Sequence, residues 1–210
     1  MSDWLDTLAA SSAEAIAAAR RSLVSIETAG RPAGSGILWA PGIVVTNAHV
    51  VCRKRLEIRL PDDREIQARR VAWDPGRDLA VLAFEGASPE PARIGDSSAL
   101  RPGEWVYALG NPWGVRGGAT AGVVISLEEP TPGGKRTSTG WLALALHLRP
   151  GHSGGPVVNA RGDVVGVNRM MNGPEVGLAI PSNAVEGFLR ETGIAKIGPA
   201  VRRAGIAELA

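Results

Sequence analysis

Gly151-His152-Ser153-Gly154-Gly155-Pro156 holds a serine between glycines, immediately before the apolar pair Val157-Val158. A serine hydroxyl is a weak nucleophile at neutral pH until a base lies within hydrogen-bond reach. Its attack on a carbonyl creates an oxyanion, which preorganised N–H donors must meet. Glycines let a turn close tightly enough to aim successive amides at one point. The stretch therefore sends the search outward for a histidine, and the chain has three: His49, His147 and His152.

His152 adjoins the serine, and neighbours on an extended chain face opposite ways. His147 lies six residues upstream, and His49 ends the segment Thr46-Asn47-Ala48-His49 that follows the β-branched run Ile43-Val44-Val45. No histidine follows residue 152. The nucleophile elbow of α/β-hydrolases needs the order serine, acid, histidine, so that reading fails. The order histidine, aspartate, serine can be filled. Asp78, in Arg77-Asp78-Leu79-Ala80-Val81-Leu82, stands at the mouth of an apolar strand and is the candidate acid. The other reading of Asp78 is a strand-cap acid paired to Arg77. Asp62, Asp63 and Asp74 sit in polar, turn-like surroundings and read as solvated loop acids.

These segments resemble the trypsin-like peptidases of the HtrA (DegP) type. Thr46-Asn47-Ala48-His49-Val50-Val51 is similar to that family's histidine segment, and Asp78-Leu79-Ala80-Val81-Leu82 to its aspartate segment. Gly110-Asn111-Pro112-Trp113-Gly114, Gly122-Val123-Val124-Ile125-Ser126 and Gly177-Leu178-Ala179-Ile180-Pro181-Ser182-Asn183 resemble further family segments. With Gly34-Ser35-Gly36 and Gly151 to Pro156, they follow the family's order. The resemblance implies a Ser-His-Asp triad of Ser153, His49 and Asp78, with the amides of Gly151 and Ser153 as oxyanion donors. It also places His147 near the base of the primary specificity pocket, where its charge would vary near neutral pH. The other reading of His147 is a histidine satisfied by backbone carbonyls. No third ligand joins His147 and His152, so neither a metal nor any other cofactor is expected.

The departures bear on substrate preference and loop order. His152 stands where the family has asparagine, and Arg149 replaces the asparagine before Pro150-Gly151. The acid the family carries about eight residues before the serine is missing from Leu144-Ala145-Leu146. About twenty residues remain after the barrel region, so no PDZ domain is expected here.

The organisation agrees. Residues 3–21 are Ala-rich, with Trp4, Leu5, Leu8 and Ile16 at helical spacing. This predicted helix either docks on its own domain or forms an oligomer contact, since related enzymes trimerise through N-terminal segments. β-rich runs follow at 23–28, 36–46, 56–60, 65–73 and 79–84. After a Gly/Pro-rich linker come 104–109, 120–127, 140–148, 156–159, 164–168 and 176–180, then a closing helix at 183–190 capped by Ser182 or Asn183. Regular strands between turn signals predict an all-β chain. The resemblance makes it two six-stranded antiparallel barrels packed face to face, 22–95 carrying His49 and Asp78 and 96–190 carrying Ser153. The helix at 1–21 precedes them, and a tail at 191–210 follows.

With 210 residues, 27 glycines, 15 prolines and a net charge of +2, the chain suits one globular β-rich unit with only a mild basic bias. Arg53-Lys54-Arg55, Arg69-Arg70 and Arg202-Arg203 are short and scattered and read as solvated faces, so no nucleic-acid partner is expected. Cys52 is the sole cysteine, so no internal disulfide can form. Neither a signal-peptide n-region nor a membrane-spanning stretch is seen, which predicts a cytoplasmic protein, or an exported one if the sequence starts after a leader. The expected function is serine endopeptidase action on unfolded or extended protein substrates through an acyl-enzyme, as in protein quality control. The alternative is a latent or inactive protease fold that binds peptides as a scaffold.

Overall fold

The run at 36–46 is not one strand: Pro41-Gly42, with Gly42 at φ +76°, folds it into a hairpin. In the computed structural model, which describes residues 3–28, 30–52, 55–127 and 140–194, the eleven expected runs therefore become twelve strands. β1 (Leu23–Thr28), β2 (Arg31–Ala40), β3 (Ile43–Thr46), β4 (Arg55–Arg59), β5 (Glu65–Asp74) and β6 (Leu79–Ala83) close one barrel in the order β1-β2-β3-β6-β5-β4. β7 (Trp105–Gly110), β8 (Gly118–Ser126), β9 (Leu142–Ala145), β10 (Pro156–Asn159), β11 (Val164–Met171) and β12 (Val176–Pro181) close a second, in the order β10-β11-β12-β9-β8-β7. All pairings between these strands are antiparallel. The expected all-β fold of two six-stranded barrels is what forms.

The period-2 alternation of a strand explains how the barrels meet. On β6, Ala80 and Leu82 fill the first barrel with Val24, Leu38, Val44 and Ile58. Leu79, Val81 and Ala83 point the other way, into a core shared with Tyr107, Leu109, Val158 and Val167 of the second barrel. Both faces are buried, which is why this strand reads as an unbroken apolar run. Leu82→Ala should cost about 3 kcal/mol and lower the melting temperature by roughly 10 °C, because a void replaces a fully buried side chain. Thermal melting followed by circular dichroism checks this, and a fall below about 2 °C would contradict the packing described.

α1 (Asp3–Arg20) docks through its C-terminal half. Ala15 and Ala19 are buried, Ser12 Oγ shares a 2.7 Å hydrogen bond with Tyr107 OH, and Arg20 Nε donates to the Gly117 carbonyl at 2.8 Å. Trp4, Leu5 and Leu8 remain exposed. α2 (Ser182–Glu191) starts one residue earlier than expected and has no side-chain cap. Ser182 Oγ instead donates to the Gly95 carbonyl at 2.7 Å, and Asn183 Nδ2 donates to Asp96 at 2.7 Å. Both side chains thus tie the helix to the linker between the barrels. Among the described residues no helix is long and apolar enough to cross a membrane. Arg53, Lys54, Arg202, Arg203 and the tail from residue 195 lie outside the described residues.

Candidate active site

Asp78 organises the histidine before any chemistry is considered. It lies at φ +56°, a left-handed conformation that an aspartate tolerates better than most side chains, just before β6. There its backbone carbonyl accepts from the Ala48 amide and from Asn47 Nδ2, each at 3.1 Å. Its Oδ1 accepts the His49 amide at 3.1 Å. The turn Ala48–Val50 after β3 is therefore clamped by one residue from the start of β6, and the imidazole has little freedom. His49 Nδ1 stands 3.0 Å from Oδ1 and 2.9 Å from Oδ2. Burial alone would raise the Asp78 carboxyl, but the bonds from His49 and Arg169 outweigh it and hold it below the usual carboxylate range. Arg77, the alternative partner for Asp78, pairs instead with Asp74 and Glu191. Asp62 pairs with Arg64 and Asp63 with Arg116 on exposed loops.

Ser153 enters from the other barrel, in the segment before β10. It lines one cavity of about 530 Å³ with His49 and Asp78. Its hydroxyl donates to the Arg169 carbonyl at 3.2 Å rather than to His49. The serine–imidazole bond is therefore not formed here, and hydrogen bonds of this kind are commonly loose in the absence of substrate.

The loop around the serine accounts for its amides almost completely. The amides of His152, Gly154 and Gly155 donate to the carbonyls of Arg149, Asn168 and His152 at 2.9, 3.0 and 2.9 Å. Among the described residues, the amides of Gly151 and Ser153 have no acceptor within the chain. Two neighbouring free donors beside a serine are what an anion site requires. Pro150 at the second position, Gly151 at φ +104° in the third and the Arg149–His152 bond define a type II turn. The orientation of its central peptide is fixed from outside. The Trp113 amide holds the Pro150 carbonyl at 3.2 Å, and in a trans peptide the Gly151 N–H points the opposite way.

Ser35 and Asn111 complete that anchor, and sequence reading assigned neither a role. Ser35 Oγ donates to the Gly151 carbonyl at 2.8 Å and accepts from the Asn111 amide and Nδ2 at 3.0 and 2.9 Å. The Asn111 amide also reaches the Gly151 carbonyl at 3.0 Å. A Cβ on Gly151 would lie 2.3 Å from the Asn111 carbonyl oxygen, inside this anchor. Gly151→Ala should therefore displace the turn and lower kcat by about 10²–10³-fold, the effect of one lost oxyanion donor. Steady-state kinetics on a peptide substrate checks this, and near-parental kcat would contradict it.

The two remaining histidines are not brought into the cavity together. Leu146 and Leu148 turn inward and leave His147 exposed between them, and Leu148 rather than His147 lines the cavity. The expected position at the base of a pocket is not the one His147 occupies. His152 is buried beneath the turn. Its Nδ1 lies 3.1 Å from the Arg149 amide, while its buried Nε2 lacks a hydrogen-bond partner among the described residues. Burial pushes this imidazole below its ordinary value. The unfolded chain then binds the proton more readily, so stability is full above about pH 6.5 and falls as pH drops below it. Melting temperature should decline between pH 7 and pH 5 in the parent and decline less in His152→Asn. Parallel pH curves would contradict this assignment. Among the described residues no cluster of His, Cys, Asp and Glu could hold a metal, and Cys52 is exposed.

Arg169 is a residue of the site that no motif in the sequence singles out. It is a cation in a strand whose preceding residues, Val164 to Asn168, are all buried, and that contrast was the available signal. Its Nε donates to Asp78 Oδ2 at 3.0 Å and its guanidinium lies 4.0 Å from the centre of the Trp141 ring.

The trypsin-like peptidase domain family matches residues 34–167, and the chain belongs to that family. It is similar to the mitochondrial serine protease HTRA2 of Bos taurus, 38% identical over 161 residues, which is 74% of this chain and 35% of that protein. It is also similar to a probable periplasmic serine endoprotease, DegP-like, of Pseudomonas putida (strain GB-1), 39% identical over 137 residues, 64% of this chain and 28% of that protein. Among solved structures, the HtrA-type protease AlgW with decapeptide superposes with a TM-score of 0.77 at 25% identity, covering 85% of this chain and 66% of that one. The chain thus spans about a third of the length of the curated relatives it matches. Their names are mitochondrial and periplasmic and lend no support to the cytoplasmic expectation.

Proposed function

We propose that this chain is an HtrA-type serine endopeptidase working through a covalent acyl-enzyme. The observation that carries the reading is the imidazole of His49, held by both oxygens of Asp78 in the cavity that Ser153 lines. In this mechanism Ser153 leaves the Arg169 carbonyl, bonds to His49 Nε2 and attacks the scissile carbonyl as the imidazole takes its proton. Asp78 fixes the tautomer and stabilises the imidazolium. The free amides of Gly151 and Ser153 receive the tetrahedral oxyanion, and His49 then returns a proton to the leaving amine. Water repeats the sequence on the acyl-enzyme.

The substrate is an extended segment of unfolded protein, as the decapeptide on the structural neighbour suggests, and the role is protein quality control in an exported setting. Leu148, Pro150, Met170 and Met171 give the cavity an apolar wall suited to such segments. The exposed Trp4, Leu5 and Leu8 of α1 support self-association through the N-terminal helix, as a trimer. A latent peptide-binding role is the second reading, favoured by the bond from the Ser153 hydroxyl to Arg169. Incubation with unfolded casein decides between them: fragments establish the peptidase, and intact casein retained on the protein establishes the binder.

A further inference from the structure

We propose that Arg169 makes the cleft select substrates carrying an acidic side chain within about two residues of the scissile bond. The inference rests on the peptidase reading and names its substrate class. Arg169 is beside the nucleophile, because its own carbonyl accepts the Ser153 hydroxyl at 3.2 Å. Its guanidinium is held in one plane by Asp78 Oδ2 at 3.0 Å and by the Trp141 ring at 4.0 Å. A guanidinium carries five N–H donors, and only the Nε donor is committed here. Among the described residues, Nη1 and Nη2 have no acceptor.

The rest of the cavity wall offers them none. The charged and titratable groups lining it are His49, Asp78, Arg149 and Arg169, and the other lining residues besides Ser153 are Pro75, Leu148, Pro150, Met170 and Met171. Asp78 is the sole carboxylate among them, and its oxygens already serve His49 Nδ1, the His49 amide and Arg169 Nε. Two guanidinium groups therefore line the cavity with one engaged carboxylate, leaving an excess of positive charge whichever form His49 takes. Arginine's fork matches a carboxylate in a bidentate fashion, and stacking on an aromatic ring preorganises it. An extended substrate advances about 3.3 Å per residue, so a side chain rooted beside Ser153 reaches only the residues closest to the scissile bond. A lysine or arginine there would be repelled, which sharpens the choice.

The test uses matched fluorogenic peptides that differ only by Glu or Gln, at each of the two positions on either side of the scissile bond. They are assayed with the parent, Arg169→Gln and Arg169→Lys. At one position the parent should show a Glu/Gln ratio in kcat/KM on the order of tenfold. Arg169→Gln should bring that ratio near one, Arg169→Lys should leave it between, and raised salt should shrink it in the parent. Because each ratio is taken within one variant, a general loss of activity from disturbing Asp78 cancels. A ratio near one at every position in the parent, or an unchanged ratio in Arg169→Gln, overturns the acidic preference while leaving the peptidase intact. Turnover of no peptide by the parent overturns the peptidase reading and this inference with it.

Discussion

Ser153→Ala lowers kcat for peptide hydrolysis by about 10⁶-fold and leaves the melting temperature within about 2 °C of the parent. Both halves of this expectation come from the same contact. The hydroxyl's bond in the fold is to the Arg169 carbonyl at 3.2 Å, so little holding energy is lost with it. The neighbouring bonds that shape the loop involve the backbones of His152, Gly154 and Gly155 and are untouched. The proposed mechanism, by contrast, loses its nucleophile. Kinetics and a thermal melt on the same preparation check the pair. Persistent turnover would remove Ser153 from the reaction, and a large fall in melting temperature would assign it a structural role.

Asp78→Asn is expected to lower kcat by about 10⁴-fold. The carboxylate can only accept, which keeps the proton on His49 Nδ1 and leaves Nε2 free to take one from the serine. An amide can instead present its NH₂ to Nδ1, forcing the opposite tautomer, with Nε2 protonated against Ser153. The same substitution removes the charge that faces Arg169, so the protein should also melt lower at neutral pH. The sign of the pH dependence follows from the depressed Asp78 carboxyl. Its ionised form stabilises the fold above the ordinary value of about 4, and that contribution is lost as pH falls through the lower, folded value. The gap in melting temperature between parent and variant should therefore narrow in acid. A kcat within tenfold of the parent would contradict the assignment of Asp78.

Much of the fold was legible because its strands carry their own evidence. The run Leu79 to Ala83 could be read as a strand buried on both faces, and the Gly/Pro linker after Phe84 as the division between barrels. The hairpin within 36–46 was signalled by Pro41-Gly42 but was hidden by apolar residues on both sides. The pairing of His49 with Asp78, in a cavity that Ser153 also lines, was within reach because few residues could fill the required order. The supports of the turn were not, since Ser35, Asn111 and Trp113 act through bonds to Gly151 and Pro150 that no local pattern encodes. His147 shows the opposite failure: Leu146-His147-Leu148 already alternates, and its alternation points the histidine outward. The caps expected of Ser182 and Asn183 failed because tertiary partners at Gly95 and Asp96 claimed both side chains.

Activation of the Ser153 hydroxyl by His49 can be read from its reaction with a fluorophosphonate. Intact mass and peptide mapping should find a single adduct, on Ser153, in the parent and none in His49→Ala under the same conditions. Absence of adduct in the parent, or equal labelling in both proteins, would contradict the account.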